Sequence, residues 1–314
     1  MKKIMLLSLS VLTLLIMVGC NSDDYEKLEV VVPNGAPSIA QIHTQYEASK
    51  NDDFLLDVDL VFGADPLRSA FVNASYDVII APINLGSVLY QNADAPYQLA
   101  LPITFGNLHI VSQQSIDSLE DLDGETIIVF GENTVPAITL DILLSLTDFN
   151  EAPSITYVDS VDVASAKIQA DEDAIALMAE PAKSALNMQL DSLYSIDIQS
   201  IWQTHFEQDG YPQAGVFVHT DADSDSIDHY LESLKESIDL VNNDIPKTLE
   251  RAEALDFPFP NPVIENAIPN SHIRYTSINE TKEAVELYFT EILSINPALI
   301  GGALPDDAFY YNLE

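Results

Sequence analysis

The chain has 314 residues, of which 47% are hydrophobic and 20% charged, a globular composition and not that of a disordered or fibrous chain. Its 50 Asp and Glu residues stand against 12 Lys and Arg, a formal net charge of −38. Such a surface repels phosphate backbones and anionic lipid, which excludes nucleic acid as a partner and reads first as surface solvation, as in a saline habitat.

The N-terminus carries a leader pattern. Lys2 and Lys3 precede the apolar run Ile4–Val18, which ends on Gly19-Cys20 before the polar NSDD. A basic start, a short apolar core and a small residue ahead of a cut site describe a secretory signal over 1–20, and the run is short for a membrane span. Ending on Gly-Cys, it resembles a bacterial lipoprotein signal, in which Cys20 is lipidated and becomes the mature N-terminus. A cleaved signal with an incidental cysteine and an uncleaved anchor are the alternatives. Cys20 is the only cysteine, so no intramolecular disulfide can form, and lipidation gives the lone thiol a use. Residues 21–27 form a polar tether, and the rest is long enough for two domains.

Leu28–Val32 reads as the first strand, with Pro33–Ser38 as its turn and a helix to Ala48 that Pro37 helps to start. Val58–Phe62 is the second strand, leading through Gly63-Ala64-Asp65-Pro66 to a helix with Asp65 as N-cap. Val78–Ala81 is an unbroken apolar run, the sign of a strand buried on both faces. Pro82 stops it, Asn84 and Gly86 open a turn, and helical spacing returns at Leu85, Val88 and Leu89. Pro96–Gln113 holds two extended segments around Pro102–Asn107, the pattern of a chain passing from one domain to another. A short helix at Ser118–Gly124 and strand Thr126–Phe130 begin a new series. Helix Ala137–Leu146, strand Ile155–Val158, helix Val161–Ala170 and strand Ala174–Met178 continue it, and Glu180-Pro181 precedes another helix. Ala214–His219 reads as a strand of the return crossing. Helices follow at Ile227–Val241, Pro246–Leu255, Pro262–Ala267 and Asn279–Leu293. Strands alternating with helices predict an α/β fold with mainly parallel sheets flanked by helices, and two series joined by two crossings predict two lobes. Lobe one, 28–109 plus 218–314, is discontinuous in sequence; lobe two is 110–217.

Four strand ends share a Pro with small or polar neighbours ahead of a helix: Asn34–Pro37, Ala81–Asn84, Asn133–Pro136 and Glu180-Pro181. In parallel sheets these helix starts lie on corresponding edges. Facing lobes then aim unpaired N–H groups and the side chains of Asn84, Thr134 and Glu180 into one cleft. Phe105, Trp202 and Tyr211 lie near turns or crossings, where an aromatic ring can stack on a flat ligand. Motifs for enzymes are missing: there is no Gly-x-Ser-x-Gly elbow, dinucleotide fingerprint, P-loop or cysteine cluster. The six histidines have no metal-ligand spacing, and His109, near the first crossing, reads as structural before functional. Asp221, Asp223, Asp225 and Glu232 match part of a calcium-loop template. Ser226 replaces its turn glycine, so the segment reads instead as a loop in which Ser226 or Asp225 caps the next helix. No metal or cofactor is expected.

The segments VVVPNGAPSIA, YDVIIAPINLGSVLY, APYQLALPITFGNLHIV, SLEDLDGETIIVFGENTVPAITLDILL, ALMAEPA, GYPQAGVFV and IGGALPDDAFYY, in this order, resemble the solute-binding lipoproteins of bacterial ABC importers. Those proteins have a type II periplasmic-binding-protein fold, and the likeness is nearest to the nitrate, sulfonate, taurine and thiamine-pyrimidine binders. The resemblance implies a non-enzymatic monomer, lipid-anchored at the outer face of the cytoplasmic membrane or in the periplasm. Two lobes would close on a small polar metabolite and deliver it to an ABC permease and its ATPase. It also implies ligand contacts at Gly35, Ala36, Pro37, Asn84, Thr104, Gly106 and Asn107 on the first lobe. Asn133, Thr134, Val135, Glu180 and Gln213 match the second lobe and hinge. The cysteine-rich iron motif of eukaryotic thiamine-pyrimidine relatives does not occur. An enzyme on the same fold, such as a dehydratase, and a sensing lipoprotein without a permease are the alternative readings.

Overall fold

The computed structural model describes residues 25–51 and 54–312. The signal reading over 1–20, with Cys20, lies outside the described residues. Of the tether, Tyr25–Lys27 are described, and Glu26 N–H donates to Ser226 Oγ at 2.8 Å.

The strands are β1 Leu28–Pro33, β2 Leu56–Val61, β3 Val78–Pro82, β4 Tyr97–Thr104, β5 Leu108–Ser112, β6 Thr126–Phe130, β7 Ser154–Val158, β8 Ile175–Ala179, β9 Tyr194–Asp197 and β10 Ala214–His219. They form two five-stranded sheets, ordered β2-β1-β3-β10-β4 and β7-β6-β8-β5-β9. The helices are α1 Ala36–Ile39, α2 Ile42–Ala48, α3 Ala64–Asn73, α4 Ile83–Ala93, α5 Val135–Ser145, α6 Val161–Ala170, α7 Ala182–Asn187, α8 Ile198–Phe206, α9 Ser224–Asn243, α10 Ile245–Ala254, α11 Asn261–Ala267 and α12 Ile278–Ile295. No described helix is long and apolar enough to cross a membrane.

The sheets are mixed. β1 pairs in parallel with β2 and β3, and β6 with β7 and β8, as strand–helix alternation requires. The strands that cross over behave differently: β10 runs antiparallel between β3 and β4, and β5 antiparallel between β8 and β9. A strand that enters a sheet from the other one comes in from the opposite edge, so the expectation of mainly parallel sheets holds only for β2-β1-β3 and β7-β6-β8. The chain changes sheets between Thr104 and Leu108, and again between Asp197 and Ala214.

β3 shows why this sequence packs as it does. Its first four residues are all buried, and alternate side chains enter different apolar clusters on the two faces of the sheet. Val78 and Ile80 join Ile39, Val216 and Leu234, whereas Ile79 and Ala81 join Phe71, Phe217 and Phe289. Each such side chain contributes about 1.5–3 kcal/mol when fully buried. Helix α4 begins at once after Pro82, so Asn84 and Gly86 stand inside its first turns and do not form the expected turn. Gly86 is required there because a Cβ would overlap the ring of Phe217.

Three further local expectations shift. Asp65 lies in the first turn of α3, whose N-cap is Gly63. Helix α5 starts at Val135, two residues before the expected Ala137, because Thr134 already has the extended N-cap conformation and Pro136 fits the first turn. Helix α9 is capped by Asp223, which accepts from Ser226 N–H at 2.9 Å and Ser226 Oγ–H at 2.7 Å, and not by Ser226 or Asp225.

Candidate functional site

The strand register sets two sheet edges against each other. In the first sheet Pro82 and Thr104 both lie opposite Ala214, so the ends of β3 and β4 and the start of β10 share one edge. In the second sheet Leu108 lies opposite Ala179 and His109 opposite Asp197, which brings the start of β5 level with the ends of β8 and β9. Residues 105–107 and 207–213 run from one edge to the other. Helices α4 and α7 start at these edges, from β3 and β8.

The crossings are tied together by backbone bonds. Gln213 N–H donates to Thr104 O at 2.8 Å, and Thr104 Oγ accepts from Ala214 N–H at 3.0 Å. A third segment joins from farther along the chain: Phe105 N–H donates to His272 O at 3.2 Å, and Arg274 N–H to Ile103 O at 2.9 Å. His272 Nδ1–H donates to Gly106 O at 2.5 Å. The Arg274 guanidinium lies 4.0 Å over the Phe105 ring and donates to Asp209 O at 2.8 Å. Gly106 has φ +88° and fits between the Gln199 amide and the Tyr211 ring, where a Cβ would overlap both.

Glu180 is the most demanding group of this region. It is 2% exposed, at the end of β8. Its backbone is clasped by Asn107, whose O accepts from Glu180 N–H at 3.0 Å and whose Nδ2 donates to Glu180 O at 3.2 Å. Its Oε2 accepts from Ser184 N–H at 3.1 Å, within the first turn of α7. That N–H, expected to be free for a ligand, is therefore taken by the chain's own carboxylate. Oε1 has no hydrogen-bond partner among the described residues; Lys183 Nζ stands 3.5 Å away and His109 Nε2 3.9 Å away. Burial pushes the Glu180 carboxyl upward despite Ser184 and Lys183, while burial, Lys183 and His272 push the His109 imidazole down to about 3. His109 is neutral at physiological pH, and both its ring nitrogens are buried without a hydrogen-bond partner among the described residues.

The other expected contacts divide. Asn107, Gln213 and Asn84 each keep a buried side-chain oxygen without a partner among the described residues; the Asn84 Nδ2 donates to Leu299 O at 3.2 Å and so fastens the C-terminal tail to α4. Ala36 and Pro37 are buried and Gly35 half-buried, and Gly35 O accepts from Ser38 Oγ–H at 2.8 Å. Asn133 is exposed at φ 60°, Val135 is buried, and Thr134 Oγ–H is used on Gly131 O at 2.5 Å. Trp202 is buried against Phe206, Tyr211 and Tyr288. Tyr211 is fully buried, and its hydroxyl has no hydrogen-bond partner among the described residues. Tyr288 comes from α12, and its hydroxyl meets Thr139 Oγ of α5 at 2.7 Å. Thr139 spends its own proton on Val135 O, so Tyr288 is the donor. Sequence reasoning set His109 aside and missed Lys183, His272 and Arg274. His272 and Arg274 needed the fold, but Lys183, three residues after Glu180, was a readable helical pair.

The sequence matches no protein-family model and no curated protein. Solved structures do match. An ABC transporter from Parabacteroides distasonis superposes with a TM-score of 0.78 at 21% identity, covering 91% of this chain and 99% of that one. The periplasmic aliphatic sulphonate binding protein SsuA from Escherichia coli gives 0.68 at 14%, covering 92% and 96%. The periplasmic nitrate-binding protein NrtA from Synechocystis PCC 6803 gives 0.61 at 13%, covering 87% and 82%. Two mixed sheets, two crossings and these likenesses together establish that the chain has the type II periplasmic-binding-protein fold.

Proposed function

We propose that this chain is the solute-binding component of an ABC importer, anchored by lipid at Cys20 outside the cytoplasmic membrane. Its two lobes divide at residues 105–107 and 207–213, a few residues from the expected bounds 109/110 and 217/218. It acts as a monomer that captures a small polar metabolite between them and hands it to a permease with its ATPase. No bond is made or broken. The observation that carries this reading is the run of buried polar atoms without partners along the facing sheet edges: Asn84 Oδ1, Asn107 Oδ1, both nitrogens of His109, Glu180 Oε1, Tyr211 OH and Gln213 Oε1. A folded protein leaves few such groups unsatisfied, and a cluster of them marks where a ligand supplies the missing bonds. The fold shared with sulphonate- and nitrate-binding proteins supports the same reading. Calorimetry of the full chain against nitrate, sulfonates, pyrimidines and amino acids, paired with small-angle scattering, tests it. Saturable binding with a fall in radius of gyration is expected. Turnover of the bound compound would transfer the chain to the enzymes.

A further inference from the structure

We propose that the solute is a nitrogenous compound rich in N–H donors, such as an amine, an amidine or an amino-heterocycle, and not an oxyanion. This rests on the receptor reading above. The orientation of two buried amides is fixed by what their nitrogens touch. Asn107 Nδ2 donates to Glu180 O and Asn84 Nδ2 donates to Leu299 O, each at 3.2 Å. A carbonyl cannot accept from an amide oxygen, so the Oδ1 end of each residue is the free end. Both Oδ1 atoms are buried without a partner, and the side chains are 4% and 6% exposed. Glu180 Oε1 adds a third acceptor end without a hydrogen bond, because Ser184 N–H occupies only Oε2 and Lys183 Nζ stands 3.5 Å from Oε1 as an ion pair. All three free ends are acceptors, and acceptors ask for donors.

Most of the donors that an oxyanion would use here are committed elsewhere. Ser184 N–H is bonded to Glu180, Thr134 Oγ–H to Gly131 O, and Ala214 N–H to Thr104 Oγ. Arg274 lies over Phe105 with one guanidinium nitrogen on Asp209 O, leaving its buried Nε without a hydrogen-bond partner among the described residues, and Lys183 is turned to the Glu180 carboxylate. An anion placed beside Asn107 would meet the Glu180 carboxylate in a low-dielectric setting, which is repulsive. A cation or N–H donor there gains a charge-assisted hydrogen bond. Neutral His109 offers one donor and one acceptor and the Tyr211 hydroxyl serves as either, which suits a ligand carrying ring nitrogens among its N–H groups.

The test dialyses the full chain, in detergent, against an equimolar mixture of benzamidine, cytosine, agmatine and putrescine with nitrate, sulfate and methanesulfonate. Compounds retained after buffer exchange are quantified following denaturation, by mass spectrometry and ion chromatography. At least one nitrogenous probe is expected to be retained, and Glu180→Gln and Asn107→Leu should each weaken its binding at least tenfold. Circular dichroism melting confirms that both variants fold, and either one alone suffices for the comparison. Retention of an oxyanion, or unchanged binding of the nitrogenous probe in both variants, overturns the donor assignment and leaves a solute receptor standing. Retention of no compound from either set overturns the receptor reading as well.

Discussion

Glu180 Oε1 and His109 Nε2 stand 3.9 Å apart at the edge of the second sheet, and burial drives them in opposite directions, the carboxyl up and the imidazole down. Each is held away from its charged form by the same lack of water. Glu180→Gln is therefore expected to stabilise the ligand-free protein at pH 7. A carboxyl whose folded pKa is raised makes ionisation costly to the fold above its unfolded pKa. The amide removes that cost and can keep accepting from Ser184 N–H. The gain should be about 0.5–2 kcal/mol, a typical stabilisation when a functional compromise is removed. A urea midpoint that falls in this variant would show Glu180 to be a net stabilising ion pair with Lys183.

The pH dependence of stability isolates His109. Its folded pKa, about 3, lies below its unfolded value, so only the unfolded chain takes up this proton as pH falls from about 6.5. Its contribution is fully present above that pH and is lost downward until the folded group also titrates near 3. His43 is lowered to about 4 by burial and then by Arg251 and Lys247, and acts in the same sense. Replacing His109 with Leu should change the stability difference from wild type by about 1.4 kcal/mol per pH unit between roughly pH 6 and 5. Urea denaturation across that range checks it. A difference independent of pH would mean that His109 takes up its proton in the folded state.

Gly106→Ala probes the first crossing. The added methyl would meet the Gln199 amide and the Tyr211 ring at a backbone angle that side chains rarely adopt. A loss of about 1–3 kcal/mol is expected from overpacking alone, with the backbone strain adding to it. Ligand affinity should fall with it, since Asn107 is the next residue.

Tyr288→Phe removes a buried hydrogen bond from α12 to α5, helices that pack on different sheets. The cost should be about 0.5–1.5 kcal/mol of stability. Where the lobes close on a ligand, the same loss should reappear as a faster ligand off-rate, readable by stopped flow. An unchanged off-rate would confine Tyr288 to the architecture of the closed pair.

Much of the frame was legible in the residues. The apolar run Val78–Ala81 and the two extended crossings required only local patterning, and the fold they imply is the one observed. What patterning could not supply was partner choice. Thr134 and Thr104 look like ligand donors and acceptors in the sequence, yet one hydroxyl serves Gly131 O and the other takes Ala214 N–H. Trp202 looks like a stacking platform near a crossing, and its surroundings turn out to be Phe206, Tyr211 and Tyr288. His272 and Arg274 reach the crossing from far along the chain, a separation that no local pattern encodes. Asn84 is the mixed case, a buried amide with one end fastening the tail and the other end free.

Hydrogen–deuterium exchange of the full chain, with and without a saturating bound solute, tests the central claim most directly. A ligand held between the lobes should slow exchange at 104–109, 180–184 and 210–214 together, and at the start of α4. Protection confined to one sheet edge, or to surface segments away from both crossings, would contradict a cleft that closes on its solute.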